Sequence, residues 1–185
     1  MPDYNWREHK VLEQHFVATM PGKAASMTRS IDLDGLKVVM TMQGVKVNDV
    51  TYTIASVPLP DDSAATHTKI LKAMQAGMLK NISGKVAVSV EQVVAVIDAS
   101  DKKVAQATGQ RITAVGVQPS AAGQSATFAT SAKSTDAAAL AIHALFIARK
   151  QLAWQVVVLG PEAELKKPSV LETAKQLIDS FRIVQ

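Results

Sequence analysis

The sequence predicts an α+β fold, an antiparallel β-sheet flanked by helices, and three observations carry that expectation. Apolar residues alternate with polar ones through much of the first third, an amphipathic helical stretch follows, and a second helical repeat led by Pro168 precedes the C-terminus. At 185 residues, with 48% hydrophobic and 19% charged residues, the chain is long and apolar enough to bury a core as a single domain spanning 1–185. Only 4% of residues are aromatic, so that core has to be built from Val, Ile, Leu, Met and Ala.

Phe16, Ala18 and Met20 share one face of a first strand, which Pro21-Gly22 ends. Residues 26–33, 36–46 and 50–57 read as a three-stranded antiparallel meander. Val38, Met40 and Met42 fall on one face of its middle strand. Asp34-Gly35 favours a tight hairpin, Asn48-Asp49 is a weaker form of the same signal, and Pro58 and Pro60 end the run. Asp62 or Ser63 can cap the next element. Ile70, Leu71, Met74, Met78 and Ile82 then form one helical stripe, as expected of a face packed on a sheet. Residues 84–97 and 104–117 are rich in β-branched residues and predict strands, and 119–135, rich in Ser, Ala, Thr and Gly, predicts a long loop.

The segment 137–159 begins like an Ala-rich helix, yet Leu140, Ile142, Ala144 and Phe146 alternate and Val156-Val157-Val158 prefers strand. A hairpin turning near Arg149-Lys150-Gln151 is expected, at a turn that lacks the glycine such a position usually holds. Pro168 suits the first turn of a helix whose apolar face is Val170, Leu171, Ala174, Leu177 and Ile178, and a short final strand starts at Phe181.

The formal charge is +4, but the basic residues are scattered, and no basic run implies nucleic acid. Zero cysteines exclude disulfides, thiol nucleophiles and Cys-ligated zinc. The four histidines, His9, His15, His67 and His143, lack metal-binding spacing. Asp32-Leu33-Asp34-Gly35 superficially suggests a calcium loop but lacks the later ligands, and Asp61-Asp62 and the Asp98/Asp101 pair read as turns and caps. Around Ser125, "GQSAT" is not a nucleophile elbow, and no glycine-rich phosphate loop occurs. No catalytic, cofactor or metal residue is therefore assigned, and no cofactor is expected. Trp154 reads as a sheet residue under a helix. Trp6, in a polar N-terminal segment, either docks on the core or serves as a partner contact.

Trp6-Arg7-Glu8, "FVATMPGK", the meander, the helix, the late hairpin ending "WQVVVLGP" and the terminal "DSFRI" together resemble bacterial exported proteins of the PsbP-like fold. That fold is shared by the extrinsic PsbP protein of photosystem II and the Ran-binding Mog protein. The resemblance spans Trp6 to Val184, and its shared residues are structural punctuation that carries no chemistry. It implies an α/β/α sandwich over 1–185, with 1–10 as an N-terminal extension. Many such relatives look like lipoproteins, which implies a lipid anchor upstream of the domain and the periplasmic face of the cell envelope. The polar start "MPDYNWREHK", read literally, implies the cytoplasm instead.

The expected function is that of a non-enzymatic, envelope-associated module that binds another protein. The alternative is a small-ligand or calcium-type metal-binding module with a pocket between the sheet and 119–138. An unrecognised hydrolase in which a serine meets one of the histidines comes third.

Overall fold

A computed structural model describes residues 4–117 and 139–185. Strands β1 (Arg7–Val11) and β2 (Phe16–Met20) are joined by one 3-10 turn, Leu12–Gln14. The meander β3 (Ala25–Leu33), β4 (Leu36–Val47) and β5 (Val50–Pro58) leads into helix α1 (Ala64–Asn81). Next come β6 (Lys85–Ile97), β7 (Lys103–Val117), β8 (Ala139–Arg149) and β9 (Leu152–Pro161). The helical turn α2 (Glu162–Leu165), helix α3 (Pro168–Ser180) and strand β10 (Arg182–Val184) complete the order. All ten described strands form one sheet in the order β1-β2-β10-β6-β7-β8-β9-β5-β4-β3, antiparallel except where β10 runs parallel to β6.

The expected α/β/α sandwich is not what forms. Of the described residues 57% are strand and 24% helix, and the sheet curls into a half-barrel that carries only two substantial helices. Strand length explains the difference. The 15 residues of β7 extend roughly 50 Å at about 3.3 Å per residue. The 13 residues of α3 reach only about 20 Å at 1.5 Å per residue. Helices that short cannot layer a sheet that long, so the sheet covers itself by curling, and Val90 and Val93 of β6 remain half-exposed on opposite faces.

Alternation decides which residues go where. Phe16, Ala18 and Met20 face the inside of the half-barrel together with Tyr52, Ile54, Leu145, Ile147, Trp154 and Val156, and α3 plugs that interior with Val170, Ala174, Leu177 and Ile178. The outer face is a second cluster, in which Ile70, Met74 and Ile82 of the predicted stripe pack on Met40, Met42, Ala55, Ile142, Ala144 and Phe146. Strand β8 is buried on both faces, which is why "ALAIHALFIAR" reads as apolar throughout and mimics a helix. The meander, the hairpin with Arg149 paired to Leu152, and both helices stand where the sequence puts them. Ser63 caps α1 by accepting a hydrogen bond from the Thr66 amide. Within the expected N-terminal extension, Arg7–Val11 is a sheet strand paired with β2. The expected loop 119–135 lies outside the described residues.

Tyr52 illustrates the cost of an almost wholly apolar interior. It is fully buried, and its hydroxyl has no hydrogen-bond partner among the described residues. The Tyr4 phenol lies close enough to act on it electrostatically without reaching bonding geometry. Burial first, and then Tyr4, push the Tyr52 pKa up. An unpaired buried hydroxyl costs about 1–3 kcal/mol. Tyr52→Phe should therefore raise the thermal midpoint, by about 2–4 °C for each kcal/mol regained, as read by circular dichroism; a fall would mean that the hydroxyl is bonded after all.

Candidate functional site

The half-barrel is open between its two edge strands, β1 and β3, and side chains span the seam. Gln14, at the end of the 3-10 turn, donates through Nε2 to the Thr41 carbonyl at 2.9 Å and to Ser56 Oγ at 2.7 Å. Gln43 of β4 donates through Nε2 to Gln14 Oε1 at 2.9 Å and to Ser26 Oγ at 3.1 Å, while His9 Nε2 lies 3.3 Å from Gln43 Oε1. Trp154 Nε1 donates to the Gln14 carbonyl at 2.8 Å, tying the turn to the centre of the sheet. Both glutamines are buried, and the bonds that join Gln14 and Gln43 to each other and to Thr41, Ser56, Ser26 and Trp154 are all between neutral groups. Such a network is favourable only because its members are satisfied together.

Beside it lies an open cleft of about 390 Å³ lined by Glu13, Gln14, Ser26, Thr41, Gln43 and Ser56, with Val11, Val39, Pro58 and Leu152 as apolar walls. Ser26, Thr28 and Ser30 of β3 are exposed on this face, while Met27, Arg29, Ile31 and Leu33 turn the other way toward α1. The turn at Asp34 (φ 54°) and Gly35 (φ 87°) makes Leu33 and Leu36 the closing pair. In the alternating antiparallel ladder that follows, the N–H and C=O of Ser26, Thr28 and Ser30 point away from β4. Among the described residues they face no other strand, since β3 ends the sheet.

The residues singled out in the sequence are dispersed. Trp6 is neither core nor free surface: it is half-buried just before β1, its ring 5.9 Å from that of Tyr4. His15 Nδ1 lies 3.1 Å from the Val184 carbonyl, and His67 Nε2 lies 2.7 Å from the Lys150 carbonyl. His143 is half-buried on the inner face, where burial first and then the Arg111 guanidinium hold its pKa below the usual histidine value. Arg111 itself donates to Asp179 at 2.7 Å and to Gln92 at 3.0 Å.

No serine hydroxyl is hydrogen-bonded to a histidine among the described residues, and no group of three His, Cys, Asp or Glu there could hold a metal ion. Asp32 accepts from the Gly35 amide, Asp61 from the Ser63 amide, and Asp98 from the Ser100 and Lys102 amides, so each serves a turn or a cap. Asp62 is exposed ahead of α1, and Asp101 pairs with Lys10 at 3.1 Å. Ser125 and the pocket expected beside 119–138 lie outside the described residues. No described helix is long and apolar enough to cross a membrane.

Gln14 and Gln43 escape a sequence reading. One signal existed, since Gln43 sits on the inner face of β4 between Thr41 and Val45, but alternation says nothing of what lies across a curled sheet. No family model matches the chain, and no curated protein matches it in sequence.

Proposed function

We propose that this protein is a non-catalytic, envelope-associated binding module whose contact surface is the open seam, and that it takes up an extended segment of another protein along β3. The observation that carries the reading is the exposed edge of β3, with its outward backbone groups beside a cleft lined by hydroxyls and amides. An unpaired edge is a template for strand addition, in which main-chain bonds supply affinity and adjacent pockets supply selectivity. The envelope assignment rests on the sequence resemblance to exported bacterial proteins alone, since the sandwich which that resemblance also implied does not form. The cleft volume also falls in the range of small-molecule sites, about 300–1,000 Å³, which keeps a small polar ligand as the second reading.

The test places a photo-crosslinking benzoylphenylalanine at Ser26, with Lys72 on the exposed side of α1 as control, in cells of the native host. A discrete adduct at Ser26 and none at Lys72 is expected. It should disappear in a Thr28→Pro background, because proline removes an outward donor yet is tolerated at a sheet edge, and the thermal midpoint should stay unchanged. An adduct that survives Thr28→Pro, or none at all, would sink strand addition. A midpoint raised by a metabolite panel would favour the second reading.

A further inference from the structure

Strand β6 overhangs one of its neighbours, since β10 meets it only at Val96 and Ile97. From Lys85 to Glu91 the strand has β7 on one side and no described strand on the other, and all seven residues are exposed. Valines are concentrated along this edge: Val86, Val88, Val90 and Val93 are 39%, 52%, 48% and 56% exposed. An open edge of β-branched residues is a template for strand pairing, which native proteins ordinarily blunt with charge or proline. Between Val86 and Val93 the one charged residue is Glu91, and there is no proline.

The ladder with β7 assigns the faces, because opposed residues share one. Ser89 and Glu91 stand opposite Ile112 and Gln110, and Ile112 belongs to the cluster outside the half-barrel. Val88 and Val90, opposite Thr113 and Arg111, share the inner face with Val94. The register steps from Val86 against Ala114 to Val88 against Thr113, so Ala87 is an extra, bulged residue. Val86 is thereby placed on the outer face with Val93, instead of the inner face with Val88.

We propose that this edge is a contact between two copies of the chain, joined by antiparallel pairing of β6 with β6 about a two-fold axis at Val90. A strand edge is its own complement under such an axis, and centring the pair on a residue sets outward backbone groups of one copy against those of the other. Val90 then meets Val90 and Val88 meets Gln92 on the inner face. On the outer face Ser89 meets Glu91 and, across the bulge, Val86 meets Val93. The polar pair is prepared in the single chain. Glu91 forms no ion pair among the described residues, and Ser89 Oγ, which accepts from Gln110 Nε2, has its own proton to donate. Centred on Glu91, the pair would oppose two carboxylates; centred on Ser89 or Gln92, it would set Glu91 against a valine. A strand drawn from the chain's own 118–138 would bring no valine, isoleucine or leucine to match. The contact leaves β3, with its exposed Ser26, Thr28 and Ser30, free. So short a paired edge lies at the small end of protein interfaces, and the dimer exchanges with the monomer.

Single cysteines report the register, because the chain has none of its own. Opposed residues of antiparallel strands lie about 4.5–5.5 Å apart at Cα, inside the roughly 4.4–6.8 Å that a disulfide spans. Under mild oxidation Val90→Cys should form a disulfide-linked dimer at least about tenfold faster than Val104→Cys, a control at an exposed valine where β7 begins. Ser89→Cys and Glu91→Cys should each crosslink slowly alone and rapidly when mixed. Sedimentation equilibrium of the unaltered chain should show monomer and dimer in exchange. Val90→Lys opposes two ammonium groups and should weaken the dimer at least about tenfold, with the thermal midpoint unchanged because the site is half-exposed. A chain that stays monomeric at every concentration, a Val90→Cys crosslink no faster than that of Val104→Cys, or a dimer that survives Val90→Lys would overturn the proposal. Crosslinking of Ser89→Cys or Glu91→Cys alone as fast as the mixture would overturn the axis at Val90. Protection of the β6 edge amides from hydrogen exchange should rise with protein concentration; protection independent of concentration would assign the edge to the chain's own segment and sink the dimer.

Discussion

Trp154→Ala should lower stability by about 3–5 kcal/mol, the range for removing a large aromatic from a packed core, and should open the seam as well. The side chain is 1% exposed near the start of β9, with its ring 6.2 Å from that of Phe181 in an edge-to-face arrangement. Its neighbours in the sheet are Ser56 of β5 and Ile147 of β8. Beyond the lost contacts, the substitution strips a donor from the Gln14 carbonyl, and the side chain of Gln14 is what reaches Thr41, Ser56 and Gln43. Against a total stability of about 5–15 kcal/mol, much of the reserve would go. Trp154→Phe separates the two effects. It keeps most of the ring and loses only the donor, so a smaller loss of about 1–3 kcal/mol is expected. Urea midpoints for both variants, with unchanged m-values, provide the measurement. Equal losses would mean that the hydrogen bond to Gln14 dominates and the packing counts for little.

The same residue shows how far a sequence can be read. Trp154 was legible as a sheet residue in an apolar strand, because its neighbours alternate. Its partner, 140 positions away, was not, because alternation assigns a face and leaves strand neighbours undetermined. The meander was legible for a local reason: Asp34-Gly35 and Asn48-Asp49 pin consecutive strands side by side. The position of β10 between β2 and β6 had no such local cause; it follows from α3 crossing the interior and delivering Ile183 opposite both Phe16 and Val96. The layered sandwich that the resemblance implied does not form, because helices of 18 and 13 residues are too short to cover strands of up to 15 residues. The candidate site depends most on this non-local geometry. His9, Gln14, Ser26, Gln43 and Ser56 converge only when the two ends of the sheet curl toward each other.

Two glycine-to-alanine substitutions should act with opposite sign, and the contrast locates the contact that holds α1 to the sheet. Gly116, on β7, faces the end of that helix. A methyl group added there would fall inside the contact radius of the Ile82 carbonyl oxygen and 2.9 Å from Ile82 Cγ1. That oxygen accepts a 2.7 Å hydrogen bond from the Val117 amide, and Ile82 is itself buried, so the backbone cannot withdraw without breaking the bond and uncovering the side chain. Gly116→Ala should therefore cost about 1–3 kcal/mol, as overpacking does. Gly77 lies within α1, and an added methyl there would meet nothing within 4 Å. Gly77→Ala should gain about 0.5–1 kcal/mol through helix propensity alone. Hydrogen exchange supplies the local readout: the Val117 amide should lose protection in Gly116→Ala and keep it in Gly77→Ala. If both alanines stabilised the protein, the close approach of Ile82 to β7 would not be what secures the helix, and its docking would rest on Ile70 and Met74 instead.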